Sequence, residues 1–122
     1  MQLLQACYND YVGQWPFLTR TVERVHSGSF NVQKYDTGGH FSDLHTERTS
    51  LNHLHRVLAW MTYLNDVEAD GETEFPHYDL KVKPRSGRTL IWPAEWTHAH
   101  RGLPVGAGCK YIIIGWFHFP ED

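Results

Sequence analysis

Apolar residues recur at helical spacing only near the start of the chain, where Leu3, Leu4, Ala6, Cys7 and Tyr11 share one stripe and Pro16 breaks it. That spacing predicts one short amphipathic helix over residues 2–14. From Ser29 onward the pattern changes to short runs rich in Val, Ile, Trp, Tyr and Phe, punctuated by Gly and Pro, as strands and tight turns require. Candidate strands lie at 30–35, 41–47, 55–64, 73–78, 80–83, 89–92, 99–103 and 110–119. Between them, Thr37-Gly38-Gly39, Ala69-Asp70-Gly71, Pro84-Arg85-Ser86-Gly87 and Val105-Gly106-Ala107-Gly108 supply residues that accept or preset turn dihedrals. So many short strands predict a mainly β fold, with two sheets packed as a jelly roll or closed as a barrel. Residues 1–28 then form a helix and lead-in, and 29–119 the core.

A chain of 122 residues fits a single domain, so its chemistry must be housed inside one fold. The formal net charge is -3 and the Lys and Arg residues are scattered, which leaves no electrostatic footprint for nucleic acid. Cys7 and Cys109 are too few and too far apart for a disulfide framework, so the reducing cytoplasm is the expected location. The first residues lack the basic start and apolar block of a signal peptide. No apolar run approaches the roughly 18 residues of a membrane span. Nine His, five Trp and six Tyr make metal chemistry worth testing.

His45-Thr46-Glu47 sets an imidazole and a carboxylate two residues apart, and on extended backbone such positions face the same side. One metal ion could touch both. Far downstream, His98 and His100 each offer a third ligand from another strand. Two imidazoles and one carboxylate on one face of an octahedron leave open positions, as in iron(II) oxygenases, whereas structural zinc is usually closed by four ligands. Lys110 stands alone in the apolar segment Cys109-Lys110-Tyr111-Ile112-Ile113-Ile114. A buried ammonium is costly unless it meets an anion, and a metal-bound dicarboxylate would supply one.

Four blocks, taken in order, resemble one family. Tyr35-Asp36-Thr37-Gly38-Gly39-His40-Phe41 with His45-Thr46-Glu47 is similar to the first metal motif of the prolyl-4-hydroxylase-like branch of the 2-oxoglutarate and iron(II)-dependent dioxygenases. Met61-Thr62-Tyr63-Leu64-Asn65-Asp66-Val67 and Gly71-Glu72-Thr73-Glu74-Phe75-Pro76 resemble its next two segments. His100-Arg101-Gly102-Leu103-Pro104-Val105, followed by Gly108-Cys109-Lys110-Tyr111, resembles the block with its second metal His and cosubstrate Lys. The phrasing from Trp92-Pro93 to His98 looks most like small phage or bacterial members.

The resemblance implies a double-stranded β-helix, the cupin-like jelly roll, with His45, Glu47 and His100 as metal ligands. It implies Lys110 as the salt-bridge partner of 2-oxoglutarate, Tyr63 and Tyr35 as hydroxyl donors, and Thr73 and Trp116 as pocket lining. The implied cofactors are Fe(II), 2-oxoglutarate and O2, with ascorbate as a candidate auxiliary reductant. The implied reaction is hydroxylation of an organic substrate, such as a prolyl residue of a peptide or protein, with succinate and CO2 as coproducts. Three departures stand out: the family usually has Asp where Glu47 stands, Ile114 replaces a hydroxyl of some relatives, and the helical support is short.

The resemblance favours His100 over His98, which becomes a residue behind the ligands or at the rim. His26, His40, His53, His55, His77 and His118 are read as surface or core-edge residues, and Trp96 as part of the substrate entrance. The acidic stretch from Asp66 to Glu74 lacks EF-hand spacing and reads as a solvated turn. Two rival functions remain: a non-catalytic cupin-like module holding a metal or small ligand, and a zinc hydrolase on the same three ligands. Exposed strand edges under scant helical cover suit a homodimer.

Overall fold

The computed structural model describes residues 2–40 and 43–120. Helix α1 (Gln2–Gln14) occupies the predicted stretch, and its Leu4 is buried with Leu58, Trp60 and Phe117. Pro16 ends the helical spacing and leads into a second, five-residue helix α2 (Phe17–Thr21), too short to show a period in sequence.

The larger sheet is antiparallel, in the order β1-β9-β2-β6, from β1 (His26–Tyr35), β2 (Arg56–Tyr63), β6 (Thr89–Pro93) and β9 (Lys110–His118). A smaller sheet runs β5-β4-β7, from β4 (Thr73–Phe75), β5 (Leu80–Val82) and β7 (Arg101–Gly102). Alternation along the strands of the larger sheet separates two cores. Ala59, Met61, Tyr63, Trp92 and Ile112 point to Phe75 of β4, while Leu58, Trp60 and Phe117 point the other way, toward α1.

Several predicted boundaries move, each for a physical reason. Of the strand expected at 41–47, Phe41 and Ser42 lie outside the described residues, and over 43–47 the backbone pairs only at an isolated bridge from His45 to His100. The strand expected at 99–103 shrinks to β7, because His100 spends both backbone groups on that bridge. Pro76 has no N–H to donate, so the strand expected at 73–78 stops at Phe75 and a 3-10 turn follows. Conversely, two segments read as turns pair with each other as β3 (Ala69–Asp70) and β8 (Val105–Ala107). Gly71 follows with φ +76, a left-handed conformation that turns the chain toward β4.

Candidate active site

The sequence brings its three expected ligands to one point. His45, Glu47 and His100 each offer a ligand atom within 4.8 Å of the others, the one such cluster among the described residues. His45 and His100 come together through backbone: each N–H donates to the other's carbonyl, at 3.0 and 2.9 Å. The imidazoles are oriented through Nδ1, which meets the Asp43 carbonyl at 2.8 Å in His45 and the His98 carbonyl at 3.0 Å in His100. A carbonyl only accepts, so Nδ1 carries the proton of each neutral ring and Nε2 keeps its lone pair. Both Nε2 atoms face Oε1 of Glu47, 3.0 Å from His100 and 3.6 Å from His45.

Such a convergence of electron-pair donors recruits positive charge. Oε1 of Glu47 is buried and receives no hydrogen bond. Burial pushes the Glu47 carboxyl up, but positive charge taken up as a proton at Nε2 of His100 or His45, together with the Trp116 indole, outweighs it and holds it well below the usual carboxylate range. Burial likewise pulls His45 down, yet the adjoining Glu47 carboxylate and Asp43 carbonyl leave it raised. A cation between the three side chains satisfies all of them, and two nitrogens with one oxygen are the donor set that non-haem Fe(II) takes.

One small pocket joins two of these ligands, along its wall, to a group suited to an anion. Its wall includes Tyr35, Thr73, Lys110, Ile112 and Ile114 together with His45 and His100. Lys110 is 3% exposed, and its Nζ donates to the Gly71 carbonyl at 3.0 Å. Burial pushes the Lys110 ammonium down to about 8, against a partial pull upward from Glu72. A dicarboxylate reaching from the metal ligands to Lys110 would neutralise that charge, so 2-oxoglutarate suits both ends.

The remaining expected residues are distributed unevenly. Thr73 lines the pocket, whereas Tyr63 stands behind it: the Tyr63 hydroxyl donates to the Val82 carbonyl at 3.2 Å and lies 2.6 Å from Thr73 Oγ1. Tyr35 donates to Gln33 Oε1 at 2.7 Å, and Lys110 Nζ sits 4.9 Å from the centre of its ring. Trp116 donates its Nε1 proton to Glu47 Oε2 at 3.0 Å. His98 contributes its carbonyl to orienting His100, while its ring packs on Tyr78 at 4.8 Å. Arg101 is engaged by Glu74 at 2.7 Å, and Trp96 is largely exposed.

Three further neighbours, to which the sequence assigns no role at the site, pack around it. Phe75 and Trp92 pack on the His100 ring at 5.5 and 4.9 Å, and Arg56 stacks on Trp116 with its Cζ 3.9 Å from the ring centre. A larger apolar groove of about 1110 Å3 runs between the two helices and β6. It borders Phe75 and Trp92 but reaches neither the three ligands nor Lys110, so the polar chemistry belongs to the small pocket.

Known proteins resemble this chain in sequence and in fold. Prolyl 4-hydroxylase subunit alpha-2 of Gallus gallus is 29% identical over 107 residues, covering 81% of this chain and 20% of that protein. Probable prolyl 4-hydroxylase 9 of Arabidopsis thaliana is 30% identical over 133 residues, covering 88% of this chain and 46% of that one. The chain thus spans less than half the length of either relative. The viral collagen prolyl hydroxylase of Paramecium bursaria Chlorella virus-1, in its 2OG complex, superposes with a TM-score of 0.76 at 21% identity over 97% of this chain and 72% of that one. A Pseudomonas putida prolyl-4-hydroxylase gives 0.64 at 20% identity, over 79% and 55%. These likenesses establish the double-stranded β-helix. The sequence profile of the 2OG-Fe(II) oxygenase superfamily matches residues 30–118, from β1 through both metal motifs to the end of β9, and this chain belongs to that superfamily.

Proposed function

We propose that this chain is a 2-oxoglutarate-dependent dioxygenase that hydroxylates a prolyl residue of a peptide or protein. The observation that carries the reading is one pocket walled both by His45 and His100, whose ligand atoms converge with that of Glu47, and by the buried ammonium of Lys110. His45, Glu47 and His100 would hold Fe(II), and Lys110 would pair with the distal carboxylate of 2-oxoglutarate. Thr73 and Tyr35, on the same pocket wall, would flank that carboxylate, Tyr63 lies against Thr73 from behind, and Trp116 donates to Glu47. Ile112 and Ile114 add apolar wall to the same pocket. Iron and 2-oxoglutarate, when bound, supply the oxidative decarboxylation that drives C–H hydroxylation, and the chain supplies placement.

The prolyl substrate is supported by the names of the relatives, which are prolyl hydroxylases from animals, a plant, a virus and a bacterium. Succinate release measured over proline-containing peptides, free proline and other amino acids is the test. Release that needs Fe(II), O2 and a prolyl peptide is expected. Hydrolysis with zinc and without oxygen would favour the hydrolase, and metal binding without turnover of any substrate the cupin-like module. We also propose a cytoplasmic location, supported by two cysteines outside any disulfide, and a homodimer through the sheet edges at β1 or β6, which light scattering would reveal.

A further inference from the structure

We infer that Arg56 and Trp116 form a clamp that fits this metal centre to a glutamate ligand, and that a bulge in β2 builds the clamp. The inference rests on the metal-centre reading and is independent of the substrate. Glu47 is one methylene longer than the Asp the family usually carries, with one more rotatable bond. Left loose, such a side chain could offer a metal either of its oxygens or both.

The structure removes that freedom. Oε2 accepts the Trp116 indole proton at 3.0 Å, leaving Oε1 to face the two imidazoles. The Arg56 guanidinium covers the same indole at 3.9 Å. Its Nη1 donates to the Glu47 main-chain carbonyl at 3.0 Å and lies 4.0 Å from Oε2. Backbone and far oxygen of one residue are therefore held by two side chains that also hold each other.

Arg56 reaches this position only through an irregularity. Strict alternation back from Ala59, which faces the inner core, would turn Val57 inward and Arg56 out. Instead the pairing of β2 with β9 slips between Arg56 and Leu58, and Val57 and Leu58 both pack on the outer cluster with Leu4 and Phe117. Arg56 thereby returns to the inner face, opposite His118, in reach of Trp116. Bulges beside active sites commonly re-aim a side chain in this way. Arg56 and Trp116 are positioning residues: they decide which carboxylate oxygen is presented.

The test is a calorimetric titration of metal-free protein with Co(II), joined to the visible spectrum of the bound ion and the melting temperature of each metal-free variant. Trp116→Phe keeps the ring under Arg56 and loses only the N–H; it should weaken Co(II) about tenfold, as losses of such outer hydrogen bonds do, and alter the spectrum, with melting little changed. Glu47→Asp withdraws the carboxylate from the indole, so adding Trp116→Phe to it should cost less than about twofold more, a non-additivity that a merely structural role would not produce. Arg56→Lys keeps the charge and loses the planar stack, and it should weaken Co(II) severalfold even if the Trp116 variant does not fold. Unchanged affinity and spectrum in Trp116→Phe or Arg56→Lys, or losses that multiply in the double variant, would overturn the clamp. Because Co(II) binding needs neither 2-oxoglutarate nor peptide, this pattern can stand even if prolyl hydroxylation fails.

Discussion

His45 and His100 are joined backbone to backbone, each N–H donating to the other's carbonyl, with their rings 4.3 Å apart between centroids. Two ligands from distant parts of the chain are thus set before any ion arrives, which lowers the ordering cost of binding. Metal should therefore stabilise the fold strongly: an ion present at a hundred times its dissociation constant adds about 2.7 kcal/mol. Anaerobic melts with and without Fe(II) read this directly. His100→Ala also loses packing against Phe75 and Trp92, so the metal-induced shift, and not the melting temperature itself, is the diagnostic. The shift should vanish, and its persistence would remove His100 from the ligand set.

Lys110 is a buried cation whose Nζ donates to one backbone carbonyl. Replacing it with Met should leave the ligand-free protein as stable or more so, because an uncompensated charge is removed. The same change should weaken 2-oxoglutarate binding to Co(II)-loaded protein by about a hundredfold or more, since the distal carboxylate would then be buried alone. Co(II) affinity should stay within about twofold, because Lys110 is not one of the three ligands. Equal losses of metal and 2-oxoglutarate would assign Lys110 a structural role.

The depressed Lys110 pKa gives two pH trends of opposite sign. In the folded, ligand-free protein the group titrates near 8, and its ordinary value is 10.5. Between those values the unfolded chain binds more protons, so this residue's contribution to stability rises with pH, while below 8 its penalty is felt in full. Binding runs the other way, because 2-oxoglutarate needs the ammonium: its dissociation constant should climb about tenfold per pH unit above 8. Denaturant melts and calorimetry on wild type and Lys110→Met isolate both trends by difference. Parallel curves for the two proteins would mean that Lys110 is not the titrating group.

Lys110 was legible because a single ammonium in an apolar strand demands a partner, and His45, Glu47 and His100 because their motifs stand in family order. Their local backbone was not. Alternation suggested strands around both His residues, whereas a single bridge holds them, and the short β3 and β8 pair is too brief to show a period of two. Arg56 escaped notice for a related reason: Arg56-Val57-Leu58 looks like any strand start, and a register slip leaves no mark in composition. Tyr63 was recognised through its motif, but only coordinates reveal that its hydroxyl meets Thr73 and Val82.

That placement of Tyr63 bears on two residues to which the resemblance gives different roles, Tyr63 as a hydroxyl donor and Thr73 as pocket lining. A phenol has one proton: Tyr63 lies 2.6 Å from Thr73 Oγ1, where either oxygen can be the donor, and 3.2 Å from the Val82 carbonyl, and a proton shared toward Thr73 leaves the Thr73 hydroxyl free to donate into the pocket. Thr73 is on the pocket wall and Tyr63 is not, so under the proposed function Tyr63 would act on 2-oxoglutarate only through Thr73. Thr73→Val should accordingly weaken 2-oxoglutarate binding more than Tyr63→Phe, and the double variant should bind no worse than Thr73→Val alone. Tyr63→Phe should instead register in denaturant melts, at about 1 to 2 kcal/mol, because the buried Thr73 hydroxyl loses its partner and the half-buried Val82 carbonyl its donor. If Tyr63→Phe harms 2-oxoglutarate binding as much as Thr73→Val and the two losses add, the phenol reaches the cosubstrate directly, and the pocket must open toward β5 when it is filled.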